Sequence, residues 1–154
     1  MKRIEAIENI MDSVTDDIVV TSCGMISREV FAVKDRPRNF YVQGSMGATL
    51  PIAIGLALSK PTKNVIAIVG DGETLMNLGT LVLMKKLDLD NLELFILDNK
   101  QYETTGGQPT CSDAIDFRIL CYCKVIFCGD SEKKVPRISI PHEEITRRFM
   151  RAIR

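Results

Sequence analysis

The chain has no excess of either charge: its 154 residues hold 20 Lys plus Arg and 20 Asp plus Glu. That balance builds no strong field, so neither nucleic acid nor an anionic membrane is an expected partner. Long apolar runs are missing too. The longest, such as PIAIGLAL at 51–58, are far too short to span a bilayer. The start, MKRIEAIENIM, reads as an amphipathic helix with acids in it, not as a signal peptide, so a cytoplasmic location is expected. Histidine is almost absent. His142, the only one, follows SIP in the tail and reads as a surface or capping residue rather than a catalytic one. No low-complexity segment or internal repeat occurs. The length fits one domain, 1–154, with a sizeable core.

Five cysteines are present, Cys23, Cys111, Cys121, Cys123 and Cys128, and none forms a CxxC pair. An odd number without a secretion signal points to reduced thiols. Four fall within 111–128, and the C-x-C lies in the apolar run ILCYCKVIFC. They read as small buried hydrophobes, with a metal or redox site as the alternative.

Periodicity gives an alternation of strands and helices. Helices are predicted over 2–12, 27–34, Pro51 to about Ser59, 73–87 and 112–121. Pro51 suits a first helical turn, where its missing N–H costs nothing. Strands are predicted over 17–23, 40–43, 64–70, 92–99 and 123–129. NVIAIVG reads as a fully apolar strand of the buried parallel kind, and LELFILDN as another buried strand. The alternation implies a doubly wound parallel α/β sheet with helices on both faces.

Ligands bind such sheets beyond the carboxyl ends of the strands. The loops expected there are TSCGMIS, QGSMG, GDGE and DNKQYETTGGQPT. In GDGE, Gly70 permits a sharp turn, Asp71 presents a carboxylate and Gly72 permits close approach of a ligand. The bland reading is a tight turn with Asp71 capping the next helix. The sharper reading is a diphosphate on the free N–H groups of that helix, neutralised by a divalent cation. Asp71, Asn99 and a carbonyl from 100–102 would give the partial oxygen shell that magnesium takes.

GDG with Asn99 at this spacing resembles the cofactor motif of the thiamine diphosphate-dependent enzymes. GSMGATLPIAIGLAL (44–58) is similar to the loop and helix that hold the aminopyrimidine ring in their decarboxylase and acetolactate synthase group. The segments SREVFAVKDRPRNFYVQGSMG, GDGETLMNLGTL, TGGQPT and IPHEEITRRFMRAI resemble the beta subunits of sulfopyruvate decarboxylases most, with the phosphonopyruvate decarboxylases near them. The resemblance covers roughly residues 15–130 and about the last twenty.

The resemblance implies roles for individual residues. Asp71 and Asn99 would ligate Mg2+ by their side chains and Gln101 by its carbonyl. Gly24, Ser45, Gly70, Gly72 and Glu73 would lie along thiamine diphosphate, with the charge of Glu73 turned away from phosphate or toward a metal-bound water. The carbonyl of Gly44 would accept from the cofactor's amino group, and Met46 would be the wedge that bends the cofactor, unless it is a plain core residue. Tyr102 and the TGGQPT loop would close over the site, or Tyr102 would only pack.

The glutamate that activates the cofactor lies on a separate pyrimidine-binding domain in this superfamily. The chain therefore reads as half of a site, completed by an alpha subunit in a hetero-oligomer. Met25, Ile26 and Met46 would be covered by that partner. The implied reaction is decarboxylation of a small 2-oxo acid, 3-sulfopyruvate to sulfoacetaldehyde and carbon dioxide, as in coenzyme M biosynthesis. A phosphonopyruvate half-enzyme and a shortened, non-catalytic scaffold subunit are the alternatives. One departure stands out: CGDSEKKVPRISIPHEE leads directly to the terminal helix, where relatives have a further helix and strand. An edge strand of the sheet is expected to be missing.

Overall fold

A computed structural model describes residues 1–131 and 135–154. In chain order the elements are α1 (Arg3–Ser13), β1 (Ile18–Thr21), α2 (Met25–Lys34), β2 (Asn39–Tyr41), α3 (Thr49–Ser59), β3 (Val65–Gly70), α4 (Asp71–Met76), α5 (Leu78–Leu87), β4 (Leu92–Asp98), β5 (Gln101–Tyr102), β6 (Gln108–Pro109), β7 (Lys124–Phe127) and α6 (His142–Ala152). Five strands form one parallel sheet in the order β2-β1-β3-β4-β7. No helix among the described residues is long and apolar enough to cross a membrane.

Alternation along the strands feeds two cores, one on each face. Val65, Ala67 and Val69 of β3, with Leu92, Leu94 and Ile96 of β4, meet Leu50, Ala53 and Ile54 of α3 and Leu81 and Met84 of α5. Ile66 and Ile68 of β3 and Leu97 of β4 meet Ala6, Ile7, Ile10 and Met11 of α1 and Val30 of α2. Each fully buried Leu or Ile contributes about 1.5–3 kcal/mol, which is why β3 is apolar on both faces, while β4 carries one exposed charge, Glu93.

The edges of the sheet differ. At the β2 edge α6 docks, with Phe149 and Phe40 rings 5.1 Å apart. Arg148 holds Asp35 through two hydrogen bonds of 2.7 Å. At the other edge β7 pairs only with β4, and Phe127 is 61% exposed. The expected missing edge strand thus leaves β7 paired with a strand on one side only among the described residues, with Lys2 bridging to Gly129 just beyond it. Residues 132–134 of the shortened segment lie outside them.

Two predicted helices need correction. Residues 112–121 form only two short 3-10 turns, Ser112–Ala114 and Phe117–Ile119. Local and tertiary bonds outcompete a helix there: Ser112 Oγ donates to Asp98, the Asp116 side chain accepts from the Arg118 amide, and Phe117 is drawn into the core. The 73–87 helix instead starts at Asp71 and breaks at Asn77, whose φ is −143°. Gly70, not Asp71, is the residue before the first helical position. The cysteines also divide: Cys121, Cys123 and Cys128 are buried, Cys23 is partly buried and Cys111 is exposed. Among the described residues no cluster of three His, Cys, Asp or Glu is arranged to hold a metal.

Candidate functional site

All five sheet strands are parallel, so their carboxyl ends share one edge. The chain runs outward from β1 to β2, then returns to place β3 on the other side of β1. This reversal opens a crevice between the ends of β1 and β3. A small cleft of about 80 Å³ lies there, lined by Ser22, Cys23, Met46, Gly70, Asp71, Gly72, Glu73, Asn99, Gln101, Tyr102 and others. It brings together eight of the residues singled out in the sequence: Met46, Gly70, Asp71, Gly72, Glu73, Asn99, Gln101 and Tyr102. Gly24 and Gly44 border it without lining it. Gly24 lies under Thr104, and Gly44 adopts a left-handed conformation, φ 66°, at the start of the 44–48 loop. Ser45 lines a separate groove of about 310 Å³ with Phe40, Gln43 and His142.

The turn from β3 into α4 is built for close approach. A Cβ on Gly72 would meet Tyr102 Cδ1 at 2.8 Å and Thr110 Cγ2 at 3.0 Å, so only glycine fits beneath that ring. Asp71 is buried, not outside the core as its strand-end position implies, and its carboxylate accepts from the Thr110 hydroxyl. Burial pushes the Asp71 carboxyl above its ordinary value and nearby Asp98 adds to this, against the Thr110 hydrogen bond. Asp98, at the end of β4, is also buried and accepts from Ser112 Oγ at 2.9 Å and from the Lys100 amide at 3.0 Å. Lys100 adopts a left-handed conformation, φ 61°, and lets Gln101 turn back so that its amide donates to Asn99 Oδ1 at 3.3 Å.

Glu73 joins three of the loops. Its buried carboxylate accepts from the Ser22 hydroxyl after β1 and from the Thr49 amide at the start of α3, the latter at 3.1 Å. Its charge is therefore engaged by protein donors, and its backbone is what remains for a diphosphate. Burial raises the Cys23 thiol pKa, and Glu73 adds to the rise. Asn77, at the helix break, donates to the Gly47 carbonyl at 2.9 Å and fastens the 44–48 loop from below. Met46 projects from that loop and is 41% exposed, which removes the plain core reading.

Several polar residues of the site gave no signal in the sequence. Arg3 of α1 is buried and forms a bidentate pair with Glu29 at 2.8 and 2.9 Å, a bond to Glu103 at 2.5 Å and a contact with Asp130 at 3.7 Å. Burial opposes its charge, but the Glu29 and Glu103 hydrogen bonds outweigh that and raise its pKa. A lone Arg on a helix face reads as solvated until the fold brings α2 and β7 to it. Thr110 was visible only as a loop residue.

The charged groups lining the cleft are Arg3, Asp71, Glu73 and Glu103. The one cation is already held by carboxylates. An anionic ligand would therefore need a metal ion beside it. The oxygens of Asp71, Asn99 and the 101 carbonyl are the hard donors that magnesium takes, so donor chemistry and the Gly72 cradle both fit a metal–diphosphate group.

Fold and cleft define a doubly wound α/β cofactor-binding domain with an oxygen-rich cleft at the switch point. Residues 20–117 match the family described as "Thiamine pyrophosphate enzyme, C-terminal TPP binding domain". The chain belongs to this family. The sulfopyruvate decarboxylase subunit beta of Methanothermobacter thermautotrophicus is 36% identical over 179 aligned positions, covering 100% of this chain and 96% of the relative. A phosphonopyruvate decarboxylase of Streptomyces viridochromogenes is 38% identical over 115 residues, 74% of this chain but 29% of that protein. Among solved structures, benzoylformate decarboxylase from Polynucleobacter necessarius superposes with a TM-score of 0.59 at 16% identity, over 86% of this chain and 33% of that one. At that identity the likeness concerns the fold alone.

Proposed function

We propose that this chain, 1–154, is one diphosphate- and metal-binding domain, the beta subunit of a heteromeric 2-oxo acid decarboxylase in the cytoplasm. Its substrate in this reading is 3-sulfopyruvate, converted to sulfoacetaldehyde and carbon dioxide. The observation that carries the reading is a contrast in length. The chain spans 96% of a relative named as a beta subunit and 29% of a phosphonopyruvate decarboxylase. In this reading an alpha subunit with the pyrimidine-binding domain and its glutamate completes the site, as the subunit name of that relative suggests.

In this reading Asp71 and Asn99 hold Mg2+ by side-chain oxygens and Gln101 by its carbonyl. Gly70, Gly72 and the backbone at Glu73 admit the diphosphate, with Gly24 and Ser45 in flanking loops. Gly44 offers its carbonyl to the amino group of the cofactor, and exposed Met46 supports the ring system. Tyr102, stacked over Gly72, shields the diphosphate end from water. When bound, thiamine diphosphate supplies the electron sink that decarboxylation requires.

The 38% identity to a phosphonopyruvate decarboxylase favours a second reading, in which the same half-enzyme takes a phosphonate. Assay of the chain reconstituted with its alpha subunit on both oxo acids separates the two. A higher kcat/KM for sulfopyruvate supports the first reading, and preference for phosphonopyruvate replaces it with the second. Turnover of neither, with no binding of thiamine diphosphate and Mg2+, leaves a scaffold subunit.

A further inference from the structure

We infer that Asp130, just beyond β7, is a positioning residue for the metal side of the cleft, an inference that rests on the magnesium reading above. Only the oxygen of an asparagine amide binds a hard cation, so the orientation of Asn99 decides whether it is a ligand. Asn99 Nδ2 donates to Asp130 Oδ1 at 2.9 Å. The reverse orientation would set two acceptors against each other. The amide is thus fixed with Oδ1 free of Asp130, accepting only the long bond from the Gln101 amide.

The second carboxylate oxygen does the same for the neighbouring ligand. Gln101 Nε2 donates to Asp130 Oδ2 at 2.6 Å, which fixes the side-chain amide, whose Oε1 lies against Gly107. With both oxygens engaged by amides, Asp130 orients ligands rather than joining them.

Asp130 is well placed to hold its ground. The Cys128 amide donates to the Asp98 carbonyl at 2.9 Å, the Gly129 amide to the Met1 carbonyl at 3.0 Å, and the Arg3 amide to the Gly129 carbonyl at 2.9 Å. The Arg3 guanidinium, itself clamped by Glu29, stands 3.7 Å from Asp130 Oδ1. A chain of contacts thus runs from the α2 carboxylate through Arg3 and Asp130 to Asn99. Outer partners of this kind fix ligand orientation and affect metal affinity through it.

The test is a calorimetric titration of Mg2+ in the presence of thiamine diphosphate, on the chain with its alpha subunit, comparing Asp130→Ala, Asp130→Asn and Asn99→Ala. Melting of the metal-free proteins is measured alongside. Asp130→Ala should raise the Mg2+ concentration for half-saturation about 10- to 100-fold with melting unchanged. Asp130→Asn, which keeps an acceptor for Asn99 Nδ2, should recover most of that loss. An unchanged midpoint in Asp130→Ala, with a raised one in Asn99→Ala, would overturn the positioning role. An Asp130→Asn variant that folds yet is as impaired as Asp130→Ala would also overturn it, since charge rather than orientation would then matter. An unchanged midpoint in Asn99→Ala would instead retire the metal reading on which the inference rests.

Discussion

Asp71, the proposed metal ligand, opposes the stability of its own fold. It is buried, its carboxyl is pushed up, and the Arg3 guanidinium that lines the same cleft is committed to Glu29 and Glu103. Asp71→Asn keeps an acceptor for the Thr110 hydroxyl while removing the charge that burial penalises. The metal-free variant should melt no lower than the parent, yet lose Mg2+-dependent binding of thiamine diphosphate. Calorimetric titration beside thermal melts checks both halves, and retained affinity would remove Asp71 from the metal site. Met46 is the opposite case. Being exposed, Met46→Ala should change stability by no more than about 0.5 kcal/mol, not the larger cost of an emptied core site. Turnover of the reconstituted enzyme should fall more than cofactor affinity, because a wedge shapes the bound cofactor rather than anchoring it. Normal kcat in a folded variant would dismiss the wedge. Ile26, expected beside Met46 on a partner-facing surface, is buried in this chain's own core, so Met25 and Met46 alone remain available there.

The docking of α6 on the β2 edge gives a prediction with a pH dependence. Burial opposes ionisation of Asp35, but the Arg148 guanidinium and the Tyr41 hydroxyl outweigh it and hold the carboxyl below its ordinary value. A lowered folded pKa contributes stability that is present above the unfolded value, about 3.9, and is lost as pH falls through the folded value. Asp35→Asn should therefore cost melting temperature near neutral pH, and the gap to the parent should close below about pH 4. Parallel melting curves across that range would show that the pair contributes nothing there. The strands, α1 and α3 were legible because their apolar periods were strong, as in NVIAIVG and LELFILDN. The break at Asn77 was not, since the bond that fixes it reaches the Gly47 carbonyl across the fold. Nor was the unwinding of 112–121, where capping by Asp116 and the pull on Phe117 outweigh helix propensity. In the site, GDG and Asn99 announced themselves by spacing, whereas Arg3, Asp130 and the hydroxyls of Ser22 and Thr110 became partners only once distant segments met.

The molecule as a whole places its site on an open edge. Three carboxylates and an engaged arginine line the cleft, which opens to solvent at the sheet edge. Gln43 to Met46 stand exposed beside it. Alignment with the Methanothermobacter subunit extends over 179 positions for the 154 residues here, so that relative carries residues without counterparts in this chain. A sixth strand would add along the outer edge of β7, and the segment that follows β7 reaches the Asn99 loop through Asp130, which accepts from Asn99 and Gln101. The central claim is that the chain holds the diphosphate and metal half of a divided site. Its most direct test is to titrate thiamine diphosphate and Mg2+ into the purified chain, then add the alpha subunit stepwise while following affinity and carbon dioxide release from sulfopyruvate. The account predicts weak binding and no turnover alone, with both rising together and saturating at equal stoichiometry. Turnover by the single chain, at a rate no partner changes, would contradict it.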